Sequence, residues 1–320
     1  AVPALREAED DVVLLTLPLF HIYALNVVLG VSLMEGATAI LVERFDPVAT
    51  IETVKRHRVS VLFGAPPMFQ AWAAAGEGRE TDLSSVRLAV SGAAALPPET
   101  LAAFRERFGI TIWEGYGLTE AGPAVTTNAL GNEAKPGSIG LPLPDLDLRL
   151  LDEEGEDAVG GDPGEIVVRG PNVFAGYWGK DEESSEVLHD AWLHTGDIAY
   201  RDDDGYLFLV DRKKDLVIVS GFNVYPKEVE DAILAHPKVE ECTVLGVADE
   251  RTGEAVRALV VVRAGERLTE EELREHLASR LARFKQPAQI EFVDSLPRHV
   301  TGKVVRRRLR RDPTMEEAPG

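Results

Sequence analysis

Two glycines, a hydroxyl and a carboxylate are packed into Gly115-Tyr116-Gly117-Leu118-Thr119-Glu120. The glycines let a backbone come close to a ligand, Thr119 can donate to a phosphate oxygen, and Glu120 can hold Mg²⁺, a hard ion that prefers oxygen. Upstream, Ser91-Gly92-Ala93-Ala94-Ala95-Leu96-Pro97 sits between an apolar run and a helical pattern. Its small side chains leave room for a flat ring and expose amides near a helix N-terminus. Trp192-Leu193-His194-Thr195-Gly196-Asp197 ends in a carboxylate able to accept two ribose hydroxyl bonds, although Gly-Asp is also a common turn pair. Asp211-Arg212-Lys213-Lys214-Asp215 mixes charges, and Thr301-Gly302-Lys303 puts a lysine on a loop. Each segment alone has a plain explanation as a turn, a strand-to-helix connection, a solvated linker or a surface lysine.

The elements that must position these groups fall into three patterns. Across 12–113, apolar runs at 12–17, 37–42, 59–63, 86–90 and 110–113 alternate with helical stretches, which predicts a parallel sheet with helices on its faces. Asp46-Pro47 offers an N-cap and an N1 proline for a helix to His57; a second helix opens at Leu96-Pro97-Pro98-Glu99, runs to about Arg107 and ends before Gly109. In such sheets ligands bind beyond the carboxyl ends of the strands, so loops 18–21, 91–95 and 114–120 are expected to converge. Short strands at 146–151, 165–169, 198–200 and 206–210 then predict a small barrel or sheet. From Asp211 a compact α+β domain is expected, with helices at 226–236 and 269–281 around strands at 239–247 and 256–262. The expected division is therefore a large α/β domain over 1–210, its first part (1–122) α/β and its second (123–210) β-rich. A hinge at 211–215, a small C-terminal domain over 216–311 and a disordered tail over 312–320 follow.

Bulk properties exclude several function classes. A formal charge of -20 over 320 residues repels nucleic acid and anionic membranes, so the basic stretch 306–311 reads as a solvated helix end. The longest apolar candidate, 14–33, is interrupted by Pro18, His21, Asn26 and Ser32, which predicts no stable membrane insertion. Cys242, the one cysteine, rules out an internal disulfide and reads as a small core residue in a reducing, cytoplasmic setting. The first residue is Ala1, and a strand-like run begins by Val12, so the chain is expected to start inside a domain.

In their order and spacing the segments resemble the adenylate-forming superfamily, which includes acyl-CoA synthetases, luciferases and the adenylation domains of peptide synthetases. Pro18-Leu19-Phe20-His21 looks like its aromatic-site motif, Ser220-Gly221-Phe222-Asn223 like its C-domain glycine motif, and Asp211 to Lys214 like its hinge. The resemblance covers essentially the whole chain. It implies that Gly92, Ala93 and Ala94, with Glu114, Gly115 and Tyr116, line the adenine beside the close-approach Gly117. It further implies that Thr119 binds the phosphates and Glu120 the Mg²⁺, and that Asp197 and Arg212 hold the ribose. Lys303 would offset charge developing as a carboxylate attacks the α-phosphate. Rotation about Lys214 would then swap the Lys303 loop for Gly221, opening a channel for coenzyme A past His21. The implied function is ATP-dependent activation of a carboxylic acid, of fatty-acid type, to acyl-AMP, followed by thioesterification with CoA. A homodimer is compatible with this reading.

One feature departs from the pattern: the superfamily's Ser/Thr/Gly-rich phosphate loop, N-terminal to Pro18, has no counterpart in these residues. The chain alone is therefore expected to be inactive or nearly so. Two other readings stay open, an acyl-AMP ligase loading a carrier protein and a non-catalytic paralogue that binds nucleotide or acyl-adenylate.

Overall fold

The computed structural model describes residues 8–75, 83–131, 134–298, 304 and 306–309. The chain divides into two compact units, one of residues 1–195 and 199–209, the other of 196–198 and 210–320.

In the first unit, β1 (Val12–Leu15) leads into a π-helical segment, Tyr23–Gly30, and α1 (Val31–Glu35), then β2 (Thr38–Leu41), α2 (Pro47–His57), β3 (Val61–Gly64), α3 (Pro66–Ala74), β4 (Leu88–Ser91), α4 (Pro98–Phe108) and β5 (Ile112–Tyr116). The short strands β6 (Thr126–Thr127) and β7 (Leu141–Pro142) complete a seven-stranded sheet in the order β2-β1-β3-β4-β5-β6-β7. Pairing is parallel from β2 through β5 and antiparallel beyond it, which establishes the α/β class. The start of α2 follows its sequence signal, since Asp46 Oδ1 accepts from Ala49 N at 2.8 Å and Pro47 stands at N1. Helix α4 stops because Gly109 turns left-handed at φ 70°.

Strand alternation divides the apolar residues between two faces. Leu14, Leu62, Ala89 and Ile112 join Ile51, Phe69, Trp72 and Phe104 from α2, α3 and α4 in one cluster. Val13, Leu15, Val61, Phe63 and Leu88 pack with Val28 of the π-helical segment in another. Helices therefore cover both faces. Trp72 also donates from Nε1 to Thr50 Oγ1 at 2.8 Å, satisfying its one polar atom.

A second sheet follows, with β8 (Asp147–Leu151), β9 (Gly164–Arg169), α5 (Asp181–Val187), β10 (Leu188–His189), β11 (Trp192–Arg201) and β12 (Leu207–Arg212). Its order is β10-β11-β9-β8, with β12 on β11. The expected strand at 198–200 is the end of a ten-residue strand that includes the whole Trp192-to-Asp197 motif. Gly196, at φ 70°, deforms that strand without ending it, so its Gly-Asp pair is no turn.

The second unit contains β13 (Val217–Val219), β14 (Phe222–Val224), α6 (Pro226–Leu234), β15 (Val239–Asp249), β16 (Gly253–Val262), α7 (Glu270–Ala278), β17 (Gln289–Phe292) and α8 (Arg306–Leu309). Its core gathers Val217, Val229, Ile233, Val244, Val256, Leu273 and Leu277. A capping box holds the start of α7, Thr269 and Glu272 each accepting from the other's backbone N–H. Cys242 is half-buried against this core; burial raises its thiol pKa, consistent with a packing role. Among the described residues no helix is long and apolar enough to cross a membrane.

Candidate active site

The carboxyl edge of the parallel sheet combines a strained backbone with unsatisfied buried hydroxyls. Ala93 has φ 72°, a left-handed conformation that costs a residue with a Cβ about 1–2 kcal/mol. Thr16 Oγ1, just past β1, and Ser91 Oγ, at the end of β4, are buried without a hydrogen-bond partner among the described residues. Strain and unused hydrogen-bonding capacity together are the marks of a site built for something other than stability.

Tyr23 joins the two halves of this edge. Its Oη donates to Val90 O at 3.1 Å, and a Cβ on Gly92 would lie 3.0 Å from its ring. A side chain at position 92 would crowd the ring where it passes beneath the loop, and burial pushes the Tyr23 phenol pKa upward. His21 is half-buried; its Nδ1 accepts from Tyr23 N at 3.2 Å, which ties it to the start of the π-helical segment.

Glu114 is only 5% exposed. Its Oε2 accepts from Leu96 N at 3.1 Å, fastening the 92–96 loop to β5, while its own N–H donates to Asn128 Oδ1 at 2.7 Å. Burial raises the Glu114 pKa to about 7, partly offset by the Leu96 amide. Past β5, Gly117 lies so close to the following turn that a Cβ there would be 1.7 Å from Pro123 O. Gly115 lies in β5, Tyr116 is half-buried at its end, and Thr119 opens a 3₁₀ turn with its side chain exposed.

Glu120 has a partner that no local motif announces. Tyr177 Oη donates to Glu120 Oε1 at 2.8 Å, and burial together with this carboxylate pushes the Tyr177 phenol up to about 12. The same segment holds the backbone of the turn, through Phe174 N to Glu120 O at 2.8 Å and Asn172 Nδ2 to Ala121 O at 2.7 Å. Among the described residues no group of three His, Cys, Asp or Glu side chains could cage a metal. A single held carboxylate suits Mg²⁺ when substrate phosphates and water supply its other ligands.

In the second unit Asp197, 7% exposed, meets Arg212, with Arg212 Nε 3.1 Å from Asp197 Oδ1. Lys214 is exposed on a short turn, Lys213–Asp215. Ser220 (φ 52°) and Gly221 (φ 83°) form the two-residue turn of the β13–β14 hairpin. Two consecutive left-handed residues define a type I′ turn, and this explains Gly221, whose added Cβ would meet nothing within 4 Å. Lys303 lies outside the described residues, as do Thr301 and Gly302. The flanks of that loop are anchored: Arg298 bridges to Val304 and pairs with Glu241 at 2.8 Å.

Arg306, the first residue of the basic stretch 306–311, departs from its expected reading. Arg306 is no solvated helix end, because its guanidinium lies 2.7 Å from Glu230 Oε1, 3.1 Å from Asp215 Oδ2 and 3.6 Å from Asp211 Oδ1. Burial raises the pKa of Asp211 and Glu230, while Arg306 opposes that rise. Three carboxylates around one cation outweigh the pull of solvent on a single arginine.

Residues 2–178 match the model of the AMP-binding enzyme family, and residues 228–303 that of the AMP-binding enzyme C-terminal domain. A long-chain-fatty-acid–CoA ligase of Bacillus subtilis is 42% identical over 93% of this chain and 53% of its own length. A feruloyl-CoA synthase of Amycolatopsis is 44% identical over 95% of this chain and 62% of its own. The chain thus spans little more than half the length of these relatives. ATP-bound MatB from Rhodopseudomonas palustris superimposes with a TM-score of 0.91 at 36% identity, over 97% of this chain and 61% of that one. An o-succinylbenzoate CoA synthetase from Bacillus subtilis, in complex with its acyl-adenylate intermediate, gives 0.85 at 31% identity, over 98% of this chain and 63% of that one. The fold, the motif order and these matches agree: the chain belongs to the AMP-binding, adenylate-forming enzyme family, alongside its acyl-CoA ligases.

Proposed function

We propose that these residues form part of an ATP-dependent acid–thiol ligase that adenylates a fatty acid and transfers the acyl group to coenzyme A. The observation that carries this reading is the carboxyl edge of the parallel sheet, with Ala93 left-handed and the Thr16 and Ser91 hydroxyls buried without partners. In this reading Gly92, Ala93, Ala94, Glu114, Gly115 and Tyr116 receive the adenine, with Gly117 letting the backbone come close. Thr119 donates to phosphate oxygens. Glu120, held by Tyr177, presents one oxygen to Mg²⁺, which would neutralise phosphate charge. Asp197 accepts the ribose hydroxyls with Arg212 beside it, and Lys303 brings a cation to the carboxylate–phosphate junction.

Transfer to CoA would use a pivot at Lys214, with His21 and Gly221 along the thiol's path. A fatty-acid substrate is supported by the Bacillus ligase's name, whereas the feruloyl-CoA synthase makes an aromatic acid the alternative. Calorimetry of this chain with AMP is expected to give saturable binding that Asp197→Asn weakens by about tenfold or more, the scale of a lost charge-assisted hydrogen bond. No heat of AMP binding would sink the nucleotide reading. Pyrophosphate release with ATP and palmitate or ferulate tests the chemistry and the acid, and Lys303→Ala should abolish it in a protein of the relatives' length. These 320 residues alone are expected to turn over far more slowly than that protein.

A further inference from the structure

The outer face of the second sheet carries a basic cluster that none of these roles uses. Alternation along β8 and β9 turns Leu150, Ile166 and Val168 into the core and leaves Asp147, Arg149 and Arg169 outward. Together with Trp192 and Arg201 of β11 they line an open depression of about 510 Å³, a size suited to a small molecule. Three guanidinium groups and one carboxylate face it, in a chain whose formal charge is -20.

Two of these guanidiniums, those of Arg149 and Arg169, are held in place. The Arg169 guanidinium carbon lies 4.6 Å from the Trp192 ring centroid and that of Arg149 lies 5.6 Å from it. Asp147 accepts from Arg169 Nη2 at 2.7 Å and Nε at 3.1 Å, and Asp157 accepts from Arg149 Nε at 2.7 Å. A guanidinium has five N–H donors, so both arginines keep donors free for a ligand while stacking and ion pairing restrict their rotamers. The Arg201 guanidinium makes no side-chain hydrogen bond or close ion pair among the described residues, though its charge reaches Asp157 and lowers that carboxylate's pKa. Groups already ordered lose little entropy on binding, and planar forks match the oxygens of a phosphate.

We propose that this depression binds the phosphate group of a small phosphorylated molecule, received by Arg149, Arg169 and Arg201 beside Trp192. An acidic peptide could use the same charge. The observations favour phosphate, because three donor forks converge on a depression of small-molecule size.

The test uses the chain as it stands, with inorganic phosphate as the probe at constant ionic strength, read by calorimetry and by tryptophan fluorescence with Trp192→Phe as the control. Saturable binding is expected, weakened about tenfold by Arg201→Gln and further by Arg169→Gln. The fluorescence change should vanish in Trp192→Phe. Arg201→Gln breaks no close ion pair, so an unchanged thermal midpoint would verify its fold. Absence of saturable phosphate binding overturns the proposal, and so does binding that the arginine substitutions leave intact, which would put the anion elsewhere. A poly-glutamate peptide that binds where phosphate does not would overturn it in favour of an acidic protein segment.

Discussion

Glu114 in the first unit and Glu230 in the second are both buried carboxylates at strategic places, yet they are handled in opposite ways. Glu114 has no cation and accepts from a backbone amide of the 92–96 loop, so burial alone governs it and its pKa rises to about 7. Glu230 faces Arg306 and two aspartates, so its charge belongs to a network. An unpaired buried acid is tolerated where a loop must be held yet stay chemically responsive; a paired one ties distant segments of chain together.

Four substitutions would break or sharpen that contrast. The largest effect is expected from Arg306→Ala, which leaves three carboxylates without their countercharge and should cost the second unit about 3–5 kcal/mol in urea denaturation. Next comes Glu114→Gln, which tests the pH dependence. Folded Glu114 keeps its proton to about pH 7 and unfolded Glu114 releases it near the ordinary 4.5, so the folded state binds more protons between those values. Its contribution is therefore fully present below pH 4.5 and is lost as pH rises through 7. Relative to the parent, Glu114→Gln should grow more stable by roughly 2–3 kcal/mol between pH 4.5 and 8, in thermal or urea melts. A parallel pH profile for the two proteins would remove the contrast.

The glycines extend the comparison on a smaller scale. Gly117→Ala puts a methyl into Pro123 O and should cost roughly 1–3 kcal/mol while displacing the Thr119–Glu120 turn, read as weakened AMP binding. Gly221→Ala meets open space and bears only the left-handed penalty, about 1 kcal/mol, with AMP binding unchanged.

Local signals account for what could be read from the residues alone. Asp46-Pro47, the prolines before α4, Gly109 and the apolar runs of β1 to β5 act within one turn or one strand of themselves, so they announced their elements. Strand β11 was hidden because Gly196-Asp197 has turn composition, whereas Thr195 Oγ1 donates across the sheet to Ile166 O at 2.8 Å and holds the segment extended. Tyr23 and Tyr177 carry no motif; their value comes from partners 67 and 57 residues away. Arg306 was hidden for the same reason. Its contacts with Glu230 and Asp215 span 76 and 91 residues, and a run of arginines near a terminus otherwise looks like a solvated end. In the candidate site, residue types were legible, but the left-handed Ala93 and the unsatisfied hydroxyls exist only in three dimensions.

The placement of Arg306 also changes what a C-terminal deletion does. Ending the chain at residue 305 would look like trimming a polar extension, but it would discard the counterion of an acidic trio assembled from residues 211, 215 and 230. Those groups would repel one another and take up protons as they relaxed. A protease acting just upstream of α8 would thus weaken the second unit chiefly by electrostatics, with the loss of Leu309 from the cluster around Leu245 and Leu259 adding to it.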